Sequence, residues 1–179
     1  GLNVPIELAL AVHTDAGIKP DHSVFGTLSI STNHIERKLE QLQSGISRMA
    51  SHDFAQLLAK NLTSDLSATL GIEWSRRETW NRNYSETRSP QIHSAILELL
   101  SHQNFTDMRY AHDPLVKFHI ARSIYKSLLR YVNFQHRITD VVVQPLPVKD
   151  IWANLDSKAN RVTLGWTPML DPLESSAMP

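Results

Sequence analysis

The 179-residue sequence contains no cysteine, and this absence removes several kinds of chemistry at once. Disulfides, thiol nucleophiles and cysteine-ligated zinc sites are excluded, so any zinc site must be built from histidine and carboxylate ligands. Only six glycines are present, and there is neither a glycine-rich phosphate loop nor a Gly-Xaa-Ser-Xaa-Gly nucleophile motif. Serine-based hydrolysis therefore has no support in the sequence.

The sequence also lacks an excess of charge of either sign and any long apolar run. It has 18 Lys and Arg against 18 Asp and Glu, which argues against nucleic acid or an anionic membrane as the main partner, since both require a basic face. No stretch of about 18 apolar residues is present, so we expect no transmembrane segment. The first residues lack the basic start and apolar core of a signal peptide. Neither end of the sequence shows a structural start or stop, so we expect this sequence to be a piece of a longer polypeptide.

Hydrophobic periodicity predicts an α/β arrangement over the first three quarters of the chain. Strands are predicted at Ile6–Val12, Val24–Ser31 and Ala95–Leu100. The prediction for residues 72–90 is a short strand and a long polar loop.

Three helices are predicted between these strands and after them. The first begins near Asn33 and has a stripe of Ile35, Leu39 and Leu42. The second repeats Phe54, Leu58, Leu62, Leu66 and Leu70 every fourth residue, with Ser51 or Asp53 as its cap and Gly71 at its end. The third runs from Asp113-Pro114 to about Phe134, with a predicted buried stripe of Ala121, Ile124, Tyr125, Leu128 and Val132.

The residue pattern of the sequence changes after about residue 136, where short valine-rich segments are broken by prolines and no helical period continues. We therefore place a domain boundary near residues 137–140. The prediction is an α/β domain over residues 1–136, followed by a linker and an incomplete β module over residues 137–179.

Two polar residues stand out by their position in apolar strands. His13 closes the first strand, and Glu98 lies inside Ala95–Leu100. Ligands of open α/β sheets collect outside the carboxyl ends of the strands, where His13 could bind a metal or act as a base. A desolvated carboxylate has a raised pKa that suits a general acid or base. The alternatives are a hydrogen-bonded structural histidine and a salt-bridged glutamate. The arginine- and tryptophan-rich stretch 74–88 is either a solvated loop or a substrate-binding lip.

The residues around His13 and Glu98 resemble a known enzyme family. Leu8-Ala9-Leu10-Ala11-Val12-His13-Thr14-Asp15-Ala16 resembles the segment of zinc-dependent N-acetylmuramoyl-L-alanine amidases in which a hydrophobic strand ends in a zinc-binding histidine. Ser94-Ala95-Ile96-Leu97-Glu98-Leu99, followed by Asn104, resembles the later strand that carries the catalytic glutamate. Val116–Tyr131 is similar to the closing helix of that catalytic domain. The matching segments together span about residues 6–134. The resemblance implies an incomplete three-layer α/β domain with flanking helices.

The chain departs from the family pattern at two points. The family usually has a glycine soon after the catalytic glutamate, where this chain has Leu100-Ser101-His102-Gln103. The resemblance also implies two further zinc ligands, a His and a Glu, upstream of His13, where twelve residues cannot hold them. Since catalytic zinc needs about three protein ligands, the resemblance implies that this piece alone is inactive.

A narrower resemblance concerns secreted multidomain proteins of Bacteroidetes-type bacteria that are often labelled xanthan lyase. It is carried by Trp74-Ser75-Arg76-Arg77, Glu98–Phe105 and Tyr125-Lys126. These proteins join an amidase-like domain to β modules. Asn160–Pro168 resembles the second strand of a fibronectin type III domain, with Trp166 as its core tryptophan and Pro145–Leu155 as the first-strand region. This implies the truncated start of a β-sandwich.

The resemblance implies a zinc hydrolase of the amide bond between N-acetylmuramic acid and L-alanine in peptidoglycan, acting in a secreted, periplasmic or cell-surface location. His13 would bind Zn²⁺ and Glu98 would be the catalytic base. Further candidate site residues are Asp15 as an orienting group, Asn104 after the second segment, and Arg76, Arg77 and Arg88 for substrate carboxylates.

Two other functions stay open. One is a non-catalytic module that binds peptidoglycan or another cell-envelope polysaccharide. The other is a polysaccharide lyase in which Tyr84 acts with Arg82 or Arg88, although nothing in their spacing is specific.

Overall fold

A computed structural model describes residues 6–33, 41–88, 91–174 and 177. The chain divides into two compact units, Gly1–Val132 and Asn133–Pro179. This division lies four residues before the boundary expected from the sequence and falls inside the last turn of the final helix, which ends at Gln135. No helix in the described ranges is long and apolar enough to cross a membrane.

The first unit is built on a four-stranded mixed sheet. Its strands are β1 (Leu8–Asp15), β2 (Leu28–Ser31), β3 (Trp80–Asn81) and β4 (His93–Ser101), in the spatial order β1-β4-β2-β3. β1 and β4 run parallel, whereas β2 is antiparallel to β4 and parallel to β3. The mixed α/β class is thus confirmed.

The second strand is shorter than the sequence predicts. It begins at Leu28 instead of Val24, because the backbone N–H groups of Phe25 and Gly26 donate to the carboxylate of Asp107 and not to a neighbouring strand. Gly26 has φ +80°, and a Cβ there would meet the Ser75 carbonyl oxygen, so this turn requires glycine.

The helix α1 (Met49–Leu70) follows its predicted four-residue period, with Phe54, Leu58, Leu62 and Leu66 buried. Gly71 ends it in the left-handed conformation and donates its N–H to the Ser67 carbonyl. The predicted cap is wrong: Arg48 precedes the helix, with no side-chain cap. Ser51 lies buried in the first turn, where its hydroxyl accepts the N–H of Ser94 and joins α1 to β4.

The helix α2 (Phe105–His112) was not predicted, because it is short and follows the strand at once. The helix predicted from Asn33 lies mostly in residues 34–40, outside the described part of the chain. Its last residues form a turn instead, since Leu42 donates its N–H to the Ile46 carbonyl.

The helix α3 (Pro114–Gln135) matches the predicted stripe only in part, since Ile124 and Leu128 are half-buried against the core clusters. Its buried residues are Val116, Ile120, Ser123, Lys126, Ser127 and Tyr131, whereas Ala121 is exposed. Lys126 is buried because its ammonium pairs with Asp65 of α1 at 3.1 Å. A hydropathy pattern assigns serine and lysine to the solvent-exposed side of a helix, so the predicted buried face of α3 is rotated relative to the observed one.

The two faces of the sheet carry different layers. Ala95, Leu97 and Leu10 pack in clusters with residues of α1 and α3, including Leu58 and Ile120. The opposite face bears Ala11, Ile96, Leu28 and Ile30, which form a separate apolar cluster. The described helices α1 and α3 therefore pack on one face of the sheet, and the strands carry polar side chains on the other face further along.

The second unit contains an antiparallel hairpin of β5 (Lys149–Asp156) and β6 (Arg161–Thr167). The carboxylate of Asp156 accepts the N–H groups of Lys158 and Ala159 in the connecting turn. Trp166, the core residue of the fibronectin-like prediction, is 55% exposed. The hairpin agrees with two predicted strand regions, and its assignment to a fibronectin type III module stays a prediction.

Burial of His93 makes stability depend on pH. Its Nδ1 lies 2.8 Å from the Tyr131 hydroxyl, and its Nε2 is buried without a hydrogen-bond partner. Burial lowers the pKa of His93, so the folded protein keeps this ring neutral where the unfolded chain, with an imidazole pKa of about 6.5, takes up a proton.

We therefore expect the free energy of unfolding to fall as the pH drops below about 6.5. The His93→Phe variant should lose part of this acid sensitivity, because it cannot take up the proton on unfolding. Urea unfolding across the pH range measures this, with the exposed His102→Phe as the matched control. An equal pH slope in the His93→Phe and wild-type proteins would show that His93 does not carry the effect.

Candidate active site

The parallel pairing of β1 and β4 brings the two main sequence candidates together. His13 lies directly opposite Glu98 in the register, and its Nδ1 is 3.8 Å from Glu98 Oε1. Both residues continue the alternation of Ala11 and Ile96, so they lie on the sheet face opposite the helices. Because both strands end nearby, the pair stands at the carboxyl edge of the sheet, where α/β proteins place ligands.

A register shift between His13 and Asp15 ends this pairing, and Asp15 lies opposite Ser101. Such bulges re-aim side chains next to functional sites. The strand therefore leaves His13 and Asp15 with different partners, although their spacing of two would otherwise place them side by side on one face.

Glu98 is held in a desolvated position. Its side chain is 14% exposed, and Oε2 is buried without a hydrogen-bond partner. Burial raises the pKa of Glu98, and the negative charge of Asp15 raises it further. A carboxylate with a raised pKa and an unpartnered oxygen can accept a proton from a nucleophile and return it, as a general base and acid must.

Asp15 is engaged with Arg77 and not with His13. Arg77 Nη1 donates to Asp15 Oδ2 at 2.6 Å, and the Asp15 Oδ1 atom accepts the N–H of Ala16. The guanidinium also lies 4.3 Å from the centre of the Phe25 ring, which fixes its plane. The pair places two fixed opposite charges near Glu98: the charge of Asp15 raises the pKa of Glu98 and that of Arg77 lowers it. The role of Asp15 as an orienting group for His13 stays a prediction.

Of the remaining sequence candidates, Arg88 lies near this edge, since its charge lowers the pKa of Glu86. Arg76 and Arg88 are exposed, and the Arg88 carbonyl accepts a hydrogen bond from Arg48. Asn104 is buried, where its amide donates to the Ser23 carbonyl and its oxygen accepts the Asp107 N–H at the start of α2. The contacts of Asn104 are therefore those of a helix cap and loop anchor.

Sequence reasoning missed Glu86, which comes from the loop before β4. Its Oε1 lies 3.7 Å from His13 Nε2, and its side chain is 41% exposed. A hydrogen bond from Ser85 lowers the pKa of Glu86 and holds the other carboxylate oxygen. No spacing rule marks this residue, because it reaches His13 only through the fold of the polar loop.

The donor set gives a limited fit to a zinc ion. Among the residues that the structure describes, no group of three His, Asp or Glu side chains could hold a metal. The two carboxylates near His13 face different ring nitrogens, so one ion cannot bind a nitrogen and both carboxylates at ligand distance. The described residues thus offer one histidine ligand and one nearby carboxylate base.

The fold is similar to solved amidase structures. An N-acetylmuramoyl-L-alanine amidase of Nostoc punctiforme matches with a TM-score of 0.53 at 11% identity, over 70% of this chain and 58% of that chain. The CwlD amidase of Clostridioides difficile, in complex with the GerS lipoprotein, gives 0.55 at 15% identity over 74% and 57%. The catalytic domain of the amidase CwlV from Bacillus (Paenibacillus) polymyxa var. colistinus gives 0.51 at 16% identity over 71% and 58%.

These similarities establish an amidase-like fold for the matched part of the chain. The chain spans less than three fifths of the length of these structures, at 57% to 58%. No protein-family model and no curated protein matches it at the sequence level.

Proposed function

We propose that the carboxyl edge of β1 and β4 is part of the active site of a peptidoglycan amidase. The reaction would be hydrolysis of the amide bond between N-acetylmuramic acid and L-alanine. One observation carries this proposal: His13 and Glu98 lie opposite each other on parallel strands, within a fold similar to that of amidases.

Glu98 supplies the proton chemistry in this proposal. Its carboxylate takes a proton from the attacking water and delivers it to the leaving amine of L-alanine, so that the amide bond breaks as a new carbon–oxygen bond forms. The raised pKa of Glu98 lets it hold this proton between the two steps. His13, beside it, fixes the position of the reacting group.

Zinc is the cofactor that we propose for His13. Bound zinc would polarise the carbonyl and lower the pKa of its water. Since catalytic zinc has about three protein ligands and the described residues supply His13 alone, the other ligands would come from outside the described part of the chain.

The surroundings of the edge suggest how an anionic substrate would be bound. Arg76 and Arg88 are exposed and could pair with carboxylates of the peptide stem. Arg77 is already paired with Asp15 and would act through its fixed charge. We further propose an extracytoplasmic location, as cell-wall cleavage requires, and a fibronectin-like β module after residue 136.

A non-catalytic polysaccharide-binding module is the second candidate. Trp80 and Tyr84 are 43% and 45% exposed on the segment that leads to Glu86, and exposed aromatic rings can cover sugar faces.

Product analysis separates these functions. The full-length natural protein, incubated with purified peptidoglycan, should release stem peptides with a free L-alanine amino group and leave glycan strands intact, as mass spectrometry would detect. Binding without released peptide would favour the non-catalytic module. Unsaturated sugar products would favour a lyase and overturn the amidase.

A further inference from the structure

We propose that the hairpin of β5 and β6 associates face to face with the same hairpin of a second copy of this chain. The surface concerned is one side of the hairpin, which we name the apolar face. It consists of Ile151, Ala153, Leu155, Val162, Leu164 and Trp166. The proposal concerns the second unit alone and is independent of amide hydrolysis.

The register of the hairpin separates apolar from polar side chains. Ala153 pairs with Leu164, and Leu155 pairs with Val162, so these residues lie on one side of the two strands. The intervening residues lie on the other side, and they are Trp152, Asn154, Asp156, Arg161, Thr163 and Gly165. Trp152 covers Gly165 there, because a Cβ on Gly165 would collide with the indole ring. Within residues 151–156 and 161–166 the apolar face therefore carries no charged group.

The apolar face is open to solvent along its whole length. Its large side chains range from 55% exposed at Trp166 to 70% exposed at Ile151. Together they present roughly 600 Å² of apolar surface, at the upper end of the largest patches found on monomeric proteins. A two-stranded hairpin is at best marginally stable by itself in water. The hairpin therefore gains stability from any partner that covers this face.

A second copy supplies a partner of matching chemistry. Two apolar faces would bury roughly 1,200 Å² in total, at the lower end of the range for specific interfaces. Neither face has a charge to desolvate, and the chain as a whole has 18 basic and 18 acidic residues, so net charge does not hold two copies apart. Packed sheets lie about 10 Å apart with interdigitating side chains. The two hairpins would thus form a small β-sandwich that buries Trp166, the predicted core residue.

Sedimentation equilibrium of the 179-residue chain tests this association. We expect the mass to rise from the 20.3 kDa of one copy toward that of a dimer. The rise should fall between about 1 µM and about 300 µM, as suits an interface at the low end of the size range. Leu164→Lys places like charges on both faces and should weaken association at least about 100-fold. Thr163→Lys adds the same charge on the other side of β6, and this matched control should associate as the wild-type chain does.

Cross-linking gives a second readout that does not depend on the folding of a lysine variant. The chain has no cysteine, so Ala153→Cys places a single thiol on the apolar face and Asn154→Cys places one on the other side. A bis-maleimide that spans about 10 Å should join two copies of Ala153→Cys far faster than two copies of Asn154→Cys. A chain that is monomeric at every concentration, an association that Leu164→Lys weakens no more than Thr163→Lys does, or equal cross-linking of the two cysteine variants would overturn the proposal.

Discussion

Replacing Glu98 with glutamine should reduce amide hydrolysis by the full-length natural protein by about 10²-fold to 10⁴-fold, the usual contribution of a general acid and base. The glutamine keeps the size of the side chain on β4 but cannot take up a proton. Rates of peptide release from purified peptidoglycan measure this loss. Glu78→Gln is the control, because it makes the same change at an exposed site outside the carboxyl edge.

The same Glu98→Gln substitution should raise the thermal stability of the chain near neutral pH. Burial raises the pKa of Glu98 in the folded state, so the folded protein binds this proton more tightly than the unfolded chain does. Proton binding to Glu98 therefore stabilises the folded protein in acid, and this stabilisation is lost as the pH rises through the folded-state pKa. The gain in Tm should therefore shrink toward acidic pH. A variant that is inactive and also less stable at neutral pH would indicate damage to the fold.

Replacing Asp107 with asparagine should destabilise the first unit by about 3 kcal/mol, because hydrogen bonds to a buried charge are stronger than neutral ones. The carboxylate is fully buried and accepts the N–H groups of Phe25, Gly26 and Ser101 at 2.8, 3.2 and 2.8 Å. An asparagine NH₂ would face at least one of these donors. Urea unfolding followed by circular dichroism measures the loss.

Asp113→Asn is the matched control for Asp107. Asp113 is exposed, and its carboxylate accepts the N–H groups of Leu115 and Val116 at the start of α3. Asparagine is also a good cap, so this change should cost well under about 1 kcal/mol. Equal losses in the two variants would show that the buried hydrogen bonds of Asp107 contribute no more than those of an exposed cap. A larger loss for Asp107 would confirm that it fixes the turn before β2 and the end of β4.

The apolar elements were predictable from the sequence because their periods are regular. The four-residue repeat of α1 and its glycine end were confirmed, as was a buried strand around Ala95–Leu100, which extends to His93–Ser101. The position of His13 at the carboxyl edge was also predicted, since a polar residue that closes an apolar strand has few other places to lie.

The errors arise where polar residues are buried or contacts are distant in sequence. Lys126 is buried only because Asp65 lies across from it on α1, and hydropathy cannot show this pair. Asn104 and Asp107 are polar in sequence, yet they form a buried anchor around the start of α2. Glu86 lies 73 positions after His13 and reaches it through loop geometry.

Isotope transfer from water tests the central claim most directly. The full-length natural protein would digest purified peptidoglycan in water enriched in ¹⁸O, and mass spectrometry would locate the heavy oxygen. Hydrolysis of the muramoyl–L-alanine amide predicts one ¹⁸O atom on the carboxyl group of the muramoyl lactyl side chain, in the wild-type protein and not in Glu98→Gln. Label at that carboxyl group at the same rate in Glu98→Gln, or no label there in the wild-type protein, would contradict the account.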